Sequence, residues 1–561
     1  MPLPTPEKSY DVVVIGAGIS GLIAAAYLAR GGAKVCVLES NHQAGGLMAG
    51  ITRRGFYFDV GDQSFEQGNI LFPLLKELGI FDDLHFLRAW YRLKTPNIDV
   101  RIERPGDLPR AFANAFPDQV AATHAFFGEL NRDMDHLLPL LREDHNPIGQ
   151  EGIAAWMATA RLAARVGINT PRLWRLLHTR GSTRAADFYD PGSEVFDFWQ
   201  HMGYRHMSLF VWLGFMHSWW NDYWYPVGGI QALFNRLESL VLDLGGQIYY
   251  KRAVARLLTE GQRRLHVVGV ETEKGETIQA RHVVYTGDMK ALYKNLLPKH
   301  PSLEEFSKRI MAGSLSEALT SVYLGVDIPP EVVRSCLQTH HTFYFPNYNI
   351  HDPHEINGSD LHGRAWVEIS VPSIDPENVH LAPPGQSTIV LQTMVRAAWY
   401  GRWQTRGAVN KQAYRELKDQ VAHEMVHTLG HLLPGIEDHI VYRDVGSALS
   451  ASRFTHNSGG ATAGWTFDPH ASPLRNRFLS IRTPIEGLLT AGHYAIWPGG
   501  VPMASLTGRL AADRVLGKPV GVLGHLLEGL LPLPAYPPDD DPGVTESPDS
   551  SSRRTALSSE K

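Results

Sequence analysis

The sequence predicts an α/β fold that opens with a strand–loop–helix–strand unit on a parallel sheet. Three observations carry that expectation. Asp11-Val12-Val13-Val14-Ile15 is a nearly unbroken apolar run, as a strand covered on both faces requires. It leads directly into Gly16-Ala17-Gly18-Ile19-Ser20-Gly21. An alanine-rich stretch over 22–30 then reads as a helix, closed by Gly31-Gly32 and followed by a second strand over 34–38.

Composition sets the outer bounds. The chain has 561 residues, 43% hydrophobic and 20% charged, which excludes wholesale disorder. At about 150 residues per unit that length suggests three to four domain-sized parts. Lys plus Arg is 53 and Asp plus Glu is 58, a net charge of −5. So near-neutral a chain is not a nucleic-acid binder held by phosphate contacts. Two cysteines, Cys36 and Cys336, exclude a disulfide-stapled scaffold and a Cys-rich metal site. The first residues lack the basic-then-apolar pattern of a signal peptide. The longest uncharged apolar stretch, 206–221, is too short for a membrane span.

A lone G-x-G-x-x-G says little, but here it lies between a buried strand and a helix, and Glu39 ends the next strand. Gly16 permits the tight turn, Gly18 lets a pyrophosphate approach the backbone, and Gly21 lets helix and strand pack closely. Free N–H groups across Ala17 and Ser20, at the helix start, are expected to meet phosphates. Glu39 is expected to accept ribose hydroxyls, and an acid there disfavours the 2′-phosphate of NADP.

Gly45-Gly46 follows Glu39 by six residues (45 − 39), which is not an NAD pattern. It resembles the extended motif of the large FAD-dependent oxidoreductases, the amine oxidases, carotenoid desaturases and their relatives. Phe58-Asp59-Val60-Gly61 resembles the strand that reaches the isoalloxazine in that group. Leu47-Met48 stand where the family often has a basic residue. Gly487-Leu488-Leu489-Thr490-Ala491-Gly492 and Pro498-Gly499-Gly500-Val501-Pro502 resemble its C-terminal motif. His493 replaces a common Asp there, and is the one candidate for a catalytic acid or base. Val254 lies in the strand pair that touches adenine in such folds. The resemblance thus implies FAD held by Gly16, Ala17, Gly18, Ser20, Gly21, Glu39, Gly45, Gly46, Gly61, Val254, Gly492, Gly500 and Val501.

A narrower resemblance is to bacterial-type phytoene desaturases with their isomerase and ketolase relatives. Its carriers are Tyr225-Pro226-Val227-Gly228-Gly229-Ile230, the YFPNY of 344–348, Ile369-Ser370-Val371-Pro372-Ser373, the turn over 375–385, and Ser505-Leu506-Thr507-Gly508-Arg509. It implies a Rossmann-like FAD-binding domain of the GR2 type over 9–100, 225–290 and 471–517. A helical, aromatic, membrane-facing lid is expected over 101–224, and an inserted mixed α+β substrate domain over 291–470. The stretch over 537–561, rich in Pro, Asp and Ser, is expected to be disordered.

The substrate so implied is a polyene isoprenoid, and physical chemistry says how it must be met. Taking a polyene of roughly forty carbons from water is worth roughly 30 kcal/mol at about 0.8 kcal/mol per carbon. That exceeds the roughly 18–21 kcal/mol at which affinities saturate. Exchange with a bilayer is the workable route, so a cytoplasmic protein docked on a membrane surface is expected. Residues 152–186 hold six arginines, no acid, and Trp156 and Trp174, which suits an interfacial helix. The bland alternative is a solvated helix with acidic partners elsewhere. For the aromatic run over 210–224 the alternative is a packed core. A docking or capping helix is expected over 515–536.

Desaturation by hydride transfer to flavin N5 is the leading expectation, with cis–trans isomerisation or ketolation as alternatives on the same frame. A small-molecule amine oxidase would want an aromatic cage, for which Trp497 is the one candidate. A non-catalytic isoprenoid carrier is the alternative of another class. His340, His341, His351 and His354 cluster without ligand spacing, so a loop and no metal is expected. Neither the oligomeric state nor the particular polyene is written in the sequence.

Overall fold

The computed structural model describes residues 5–137, 152–204, 206–348, 366–395, 411–471, 480–496 and 498–518. Trp497, His351, Asp352, His354, the stretch over 523–531 and the tail over 537–561 lie outside these residues. The expected opening is present. The strand Ser9–Ile15 enters the helix Ile19–Arg30, and the strand Val35–Leu38 returns parallel to the first. The helix is buried along almost its whole length, which its alanines permit, because other helices cover it on the side away from the sheet.

The first sheet gathers strands from distant parts of the chain. Gln247–Tyr249, Val35–Leu38, Ser9–Ile15 and Thr277–Tyr285 lie side by side and parallel. Leu488–Thr490 pairs parallel with the end of Thr277–Tyr285, through Val283 with Leu488 and Tyr285 with Thr490. His266–Thr272 and Val254–Glu260 extend the sheet antiparallel. A parallel pair needs a long crossover, and this sheet uses that freedom to bring Ile15, Tyr285 and Thr490 side by side at the ends of their strands.

The second sheet has seven strands in the order Ile440–Gly446, Ala318–Val326, Ser387–Val395, Val367–Ser370, His341–Tyr344, Tyr91–Lys94 and Asp99–Ile102. Only His341–Tyr344 with Tyr91–Lys94 is parallel. Tyr91–Lys94, which the sequence partition groups with the first sheet, therefore pairs with the second. His341 opens a strand rather than a loop, because His341–Tyr344 pairs with strands on both sides. The proline turn over 375–385 reaches back to the first half: Asn378 Oδ1 accepts the Gly228 N–H at 2.8 Å.

Between these sheets' sequences come the helices Val120–Leu137, Gly152–His178, Glu194–His201 and Leu209–Asn221. Trp212 and Trp219, in the run over 210–224, are fully buried against Phe126 and Phe215, so the packed-core alternative holds for these two, and Trp199 outside that run is buried against Trp212. Four of the six arginines have acidic partners. Arg172 and Arg175 both reach the buried Asp133 carboxylate, Arg180 reaches Asp468, and Arg184 reaches Glu129 and Asp187. Trp174 and Ile168, by contrast, are 63% and 77% exposed. Among the described residues no helix is long and apolar enough to cross a membrane.

Candidate functional site

One cavity of about 1220 Å³ runs between the first loop, the second sheet and the C-terminal segment. That exceeds the roughly 300–1,000 Å³ of an ordinary small-molecule site. It has two unlike ends. One is glycine-rich and carries Gly16, Gly18, Ser20, Glu39, Gly45 and Gly46. The other is apolar and carries Met134, Met207, Phe215, Phe343, Trp366 and Met394. Gly492, His493, Gly500 and Val501 of the C-terminal segment, and Val254 of the strand Val254–Glu260, line the same space.

The glycines at the first end do different work. A Cβ on Gly18 would meet nothing within 4 Å, so it would project into the cavity. Gly18 caps the helix Ile19–Arg30, whose first turn carries no acid, so the positive end of the helix faces open space. Gly16 sits at φ +106 with Thr286 Oγ1 2.4 Å from where a Cβ would stand. Gly46 lies across from Gly18, 3.5 Å from its Cα by the same measure. A Cβ on Gly492 would stand 3.4 Å from Ser20 Oγ. Backbone approach, phosphate-sized room and a free helix N-terminus are what a dinucleotide requires, and the residues fit FAD.

Three of the thirteen expected FAD contacts stand behind the cavity wall. Ala17 donates its N–H to Glu39 Oε2 at 2.7 Å. Gly21 packs on the Gly16 carbonyl, where a Cβ would stand 1.9 Å from the oxygen. Gly61 packs on the Leu47 carbonyl and accepts Nε2 hydrogens from Gln63 and Gln392. Glu39 is itself held by the loop: its Oε1 accepts from Asn41 N–H at 2.8 Å and Asn41 Nδ2 at 3.0 Å. A carboxylate has acceptor capacity beyond these bonds.

His493 is set between the Gly464 turn and Tyr494. Burial pulls its pKa down to about 4, against the nearby Asp288 carboxylate. At neutral pH it is an uncharged imidazole and has no spare acidic proton to give. Asp288 was not expected from the sequence, yet it ties this corner together. It accepts N–H bonds from Lys290, Ala291 and Ser458 and the hydroxyl of Tyr494.

The cavity lining also holds carboxyl groups that composition does not reveal. Burial pushes Glu66 and Glu368 each up to about 8, and Asp62 to about 6. Asp62 is accessible, but its surface opens into the cavity. Mutual repulsion adds to burial: Asp62 and Asp222 raise Glu66, and Asp62 raises Glu368. Glu66 Oε1 stands 2.8 Å from where a Cβ on Gly500 would be. Arg252 is the one guanidinium or ammonium among the described residues lining the cavity, and it lies at the Glu39 end. The signal for these acids was present as alternation: Val-Glu-Ile-Ser over 367–370 puts Glu368 and Ser370 on one strand face.

The flavin containing amine oxidoreductase family matches this chain over residues 19–516. The chain is 24% identical to an all-trans-retinol 13,14-reductase of Danio rerio, covering 91% of this chain and 86% of that protein. It is 26% identical to a chloroplastic prolycopene isomerase of Daucus carota (91% and 80%) and 22% identical to a lycopene-forming phytoene desaturase of Pantoea ananas (92% and 99%). Cyclohexylamine oxidase from Brevibacterium oxydans shares the fold, with a TM-score of 0.55 at 16% identity over 91% of this chain and 99% of that one. With a family match over most of its length and a cavity that fits the dinucleotide, this chain belongs to the flavin containing amine oxidoreductases, as an enzyme whose cofactor is FAD.

Proposed function

We propose that this oxidoreductase acts on the conjugated chain of a polyene isoprenoid, with desaturation as the leading reaction. The observation that carries the reading is the continuity of one cavity from the glycine end to a long wall of Phe, Trp and Met. A small amine would not need that wall. Three relatives whose names specify a retinoid, a prolycopene and a phytoene support it. Gly16, Gly18, Ser20, Gly45, Gly46, Gly492, Gly500 and Val501 would hold the FAD at the wall, with Val254 toward its adenine. Ala17, Gly21 and Gly61 would shape that wall from behind. When bound, FAD supplies two-electron redox chemistry at a fixed place. The chain's own residues do the rest. Phe343, Trp366 and Met394 lay the hydrocarbon along the wall and exclude water, which fixes the reacting carbons in place.

The same reading expects the substrate to pass from a lipid surface, with residues 101–224 as its cover. Ile168 and Trp174 on the helix Gly152–His178 support it, being the large apolar side chains that helix exposes most. The paired arginines do not. Co-sedimentation with anionic vesicles, lost on Ile168→Ser with Trp174→Ser, is the expected result; unchanged binding of the double variant removes this surface.

Purified holoenzyme offered linear carotenes and retinoids in vesicles tests the activity. A product lighter by two hydrogens marks desaturation, one heavier by two marks saturation, and an unchanged mass with a new isomer marks isomerisation. Oxidation of amines with every polyene returned unchanged overturns the reading.

A further inference from the structure

The second sheet turns one face to the cavity, and its register places two cross-strand rows there. Phe343 pairs with Glu368, and Glu368 with Gln392. Two residues along, Tyr91 pairs with His341, and His341 with Ser370. Residues two apart on a strand share a face, so both rows stand on the same side. Glu368 and Tyr91 line the cavity, while His341 is wholly buried behind them. Glu368 Oε1 is 3.0 Å from His341 Nδ1, and Ser370 Oγ is 2.7 Å from the same nitrogen. The Tyr91 ring stacks flat on the imidazole, centroids 4.5 Å apart and planes 7° apart. Tyr91 hydroxyl in turn meets Ser64 Oγ at 3.1 Å.

This pair is not a salt bridge. Burial, with repulsion from Asp62, pushes Glu368 up to about 8. Burial, with His340 alongside, pulls His341 well below the ordinary histidine range. Both partners are uncharged at neutral pH, and the His341 ring nitrogen stands beside both the Glu368 carboxyl group and the Ser370 hydroxyl. The titratable groups facing the pair are Asp62, Tyr91, Tyr223 and His340, with Glu66 further along the cavity. Among the described residues no Lys or Arg of the cavity lining joins them, Arg252 lying at the Glu39 end, and no three His, Cys, Asp or Glu side chains are placed to hold a metal. An acid kept protonated against an apolar wall is a group with a proton to lend, and a hydrocarbon offers it no competing charge.

We propose that Glu368 is the acid–base residue that passes a proton to or from the polyene chain, and that His341 is a positioning residue that orients its carboxyl group. The proposal rests on the polyene reading above. The step is a proton transfer. The Glu368 O–H bond breaks as a C–H bond forms, the electron pair coming from a carbon–carbon double bond; the reverse, which desaturation needs, starts from the carboxylate form, breaks C–H and forms O–H. In a net oxidation or reduction the two accompanying electrons are those of the flavin couple, which the oxidoreductase class supplies. In isomerisation the proton is lent and returned, and nothing is oxidised.

The test uses FAD-loaded protein and three readouts: turnover, deuterium entry and the infrared carboxyl band. Glu368→Gln keeps the shape and removes the ionisable proton. Turnover of a polyene should fall by about 10²-fold or more, with the flavin spectrum and FAD content unchanged. Glu368→Asp should keep part of the activity, and His341→Asn should shift the pH profile of turnover rather than abolish it. Where the reaction is saturation or isomerisation, deuterium from D2O should enter the polyene with wild type and not with Glu368→Gln. Without any substrate, the infrared difference spectrum of wild type minus Glu368→Gln should show the band of a protonated carboxyl group at neutral pH. Turnover of Glu368→Gln within about threefold of wild type overturns the proposal while leaving the polyene reading intact. Should wild type convert no polyene, that reading fails, and an infrared difference of zero then overturns the protonated acid as well.

Discussion

Gly508 of the helix Val501–Val515 lies so close to Ser20 of the helix Ile19–Arg30 that a Cβ at 508 would stand 2.3 Å from the Ser20 carbonyl oxygen. The contact is backbone against backbone, so no side chain can yield. It locks the C-terminal segment, with Gly492, Gly500 and Val501, onto the first loop. The cavity's glycine end therefore exists only when the two ends of the fold are assembled.

Gly508→Ala is expected to cost about 1–3 kcal/mol, as overpacking of a dense interface does. Thermal unfolding followed by circular dichroism should show a lowered midpoint, and the purified protein should hold less FAD. An unchanged midpoint would mean that the helices are not held this closely.

Gly18→Ala separates binding from folding. Gly18 has φ −76 and ψ −178, a backbone conformation open to any residue, and its Cβ would meet only the cavity. Stability should stay within about 0.5 kcal/mol of wild type, while flavin absorbance per protein falls. Equal loss of both would place Gly18 in the packing instead.

Asp133 receives both Arg172 and Arg175 although its side chain has no exposed surface. Asp133→Asn removes the charge and leaves the two guanidinium groups underpaired next to a buried amide. A loss of about 1–3 kcal/mol is expected, read from denaturant unfolding. Unchanged stability with weakened vesicle binding would return these arginines to a lipid-facing role.

Glu66 gives a pH signature with a definite sign. Burial first, then Asp62 and Asp222, hold it up to about 8 in the folded state against 4.5 for the free group. The folded protein thus binds the proton more tightly than the unfolded chain. The penalty is absent below about pH 4.5, grows as pH rises, and is complete above about pH 8. Glu66→Gln should therefore gain in melting temperature over wild type between pH 5 and pH 8. A difference that does not change with pH contradicts the raised pKa.

The nucleotide half was legible because its information is local. Gly16, Gly18 and Gly21 each answer a backbone requirement within six residues of chain, and Gly492 and Gly500 do so again near the other end. What was not legible depends on pairing across long separations. Tyr91 joins the second sheet only because His341–Tyr344 lies beside it. Glu368 is an acid in an unremarkable four-residue strand until Phe343 and Gln392 flank it and Asp62 faces it. Asp133 was invisible for the same reason: the partners of an arginine-rich helix sit on the helix before it. Tryptophans divided likewise, since Trp174 and Trp212 differ in packing and not in sequence.

A diffraction structure of the FAD-loaded protein with a non-reacting polyene analogue tests the central claim most directly. FAD extended from Gly18 to Gly500, and an elongated hydrocarbon along Phe343, Trp366 and Glu368, is the predicted result. FAD bound away from either glycine, or an analogue excluded from the apolar wall, would contradict it.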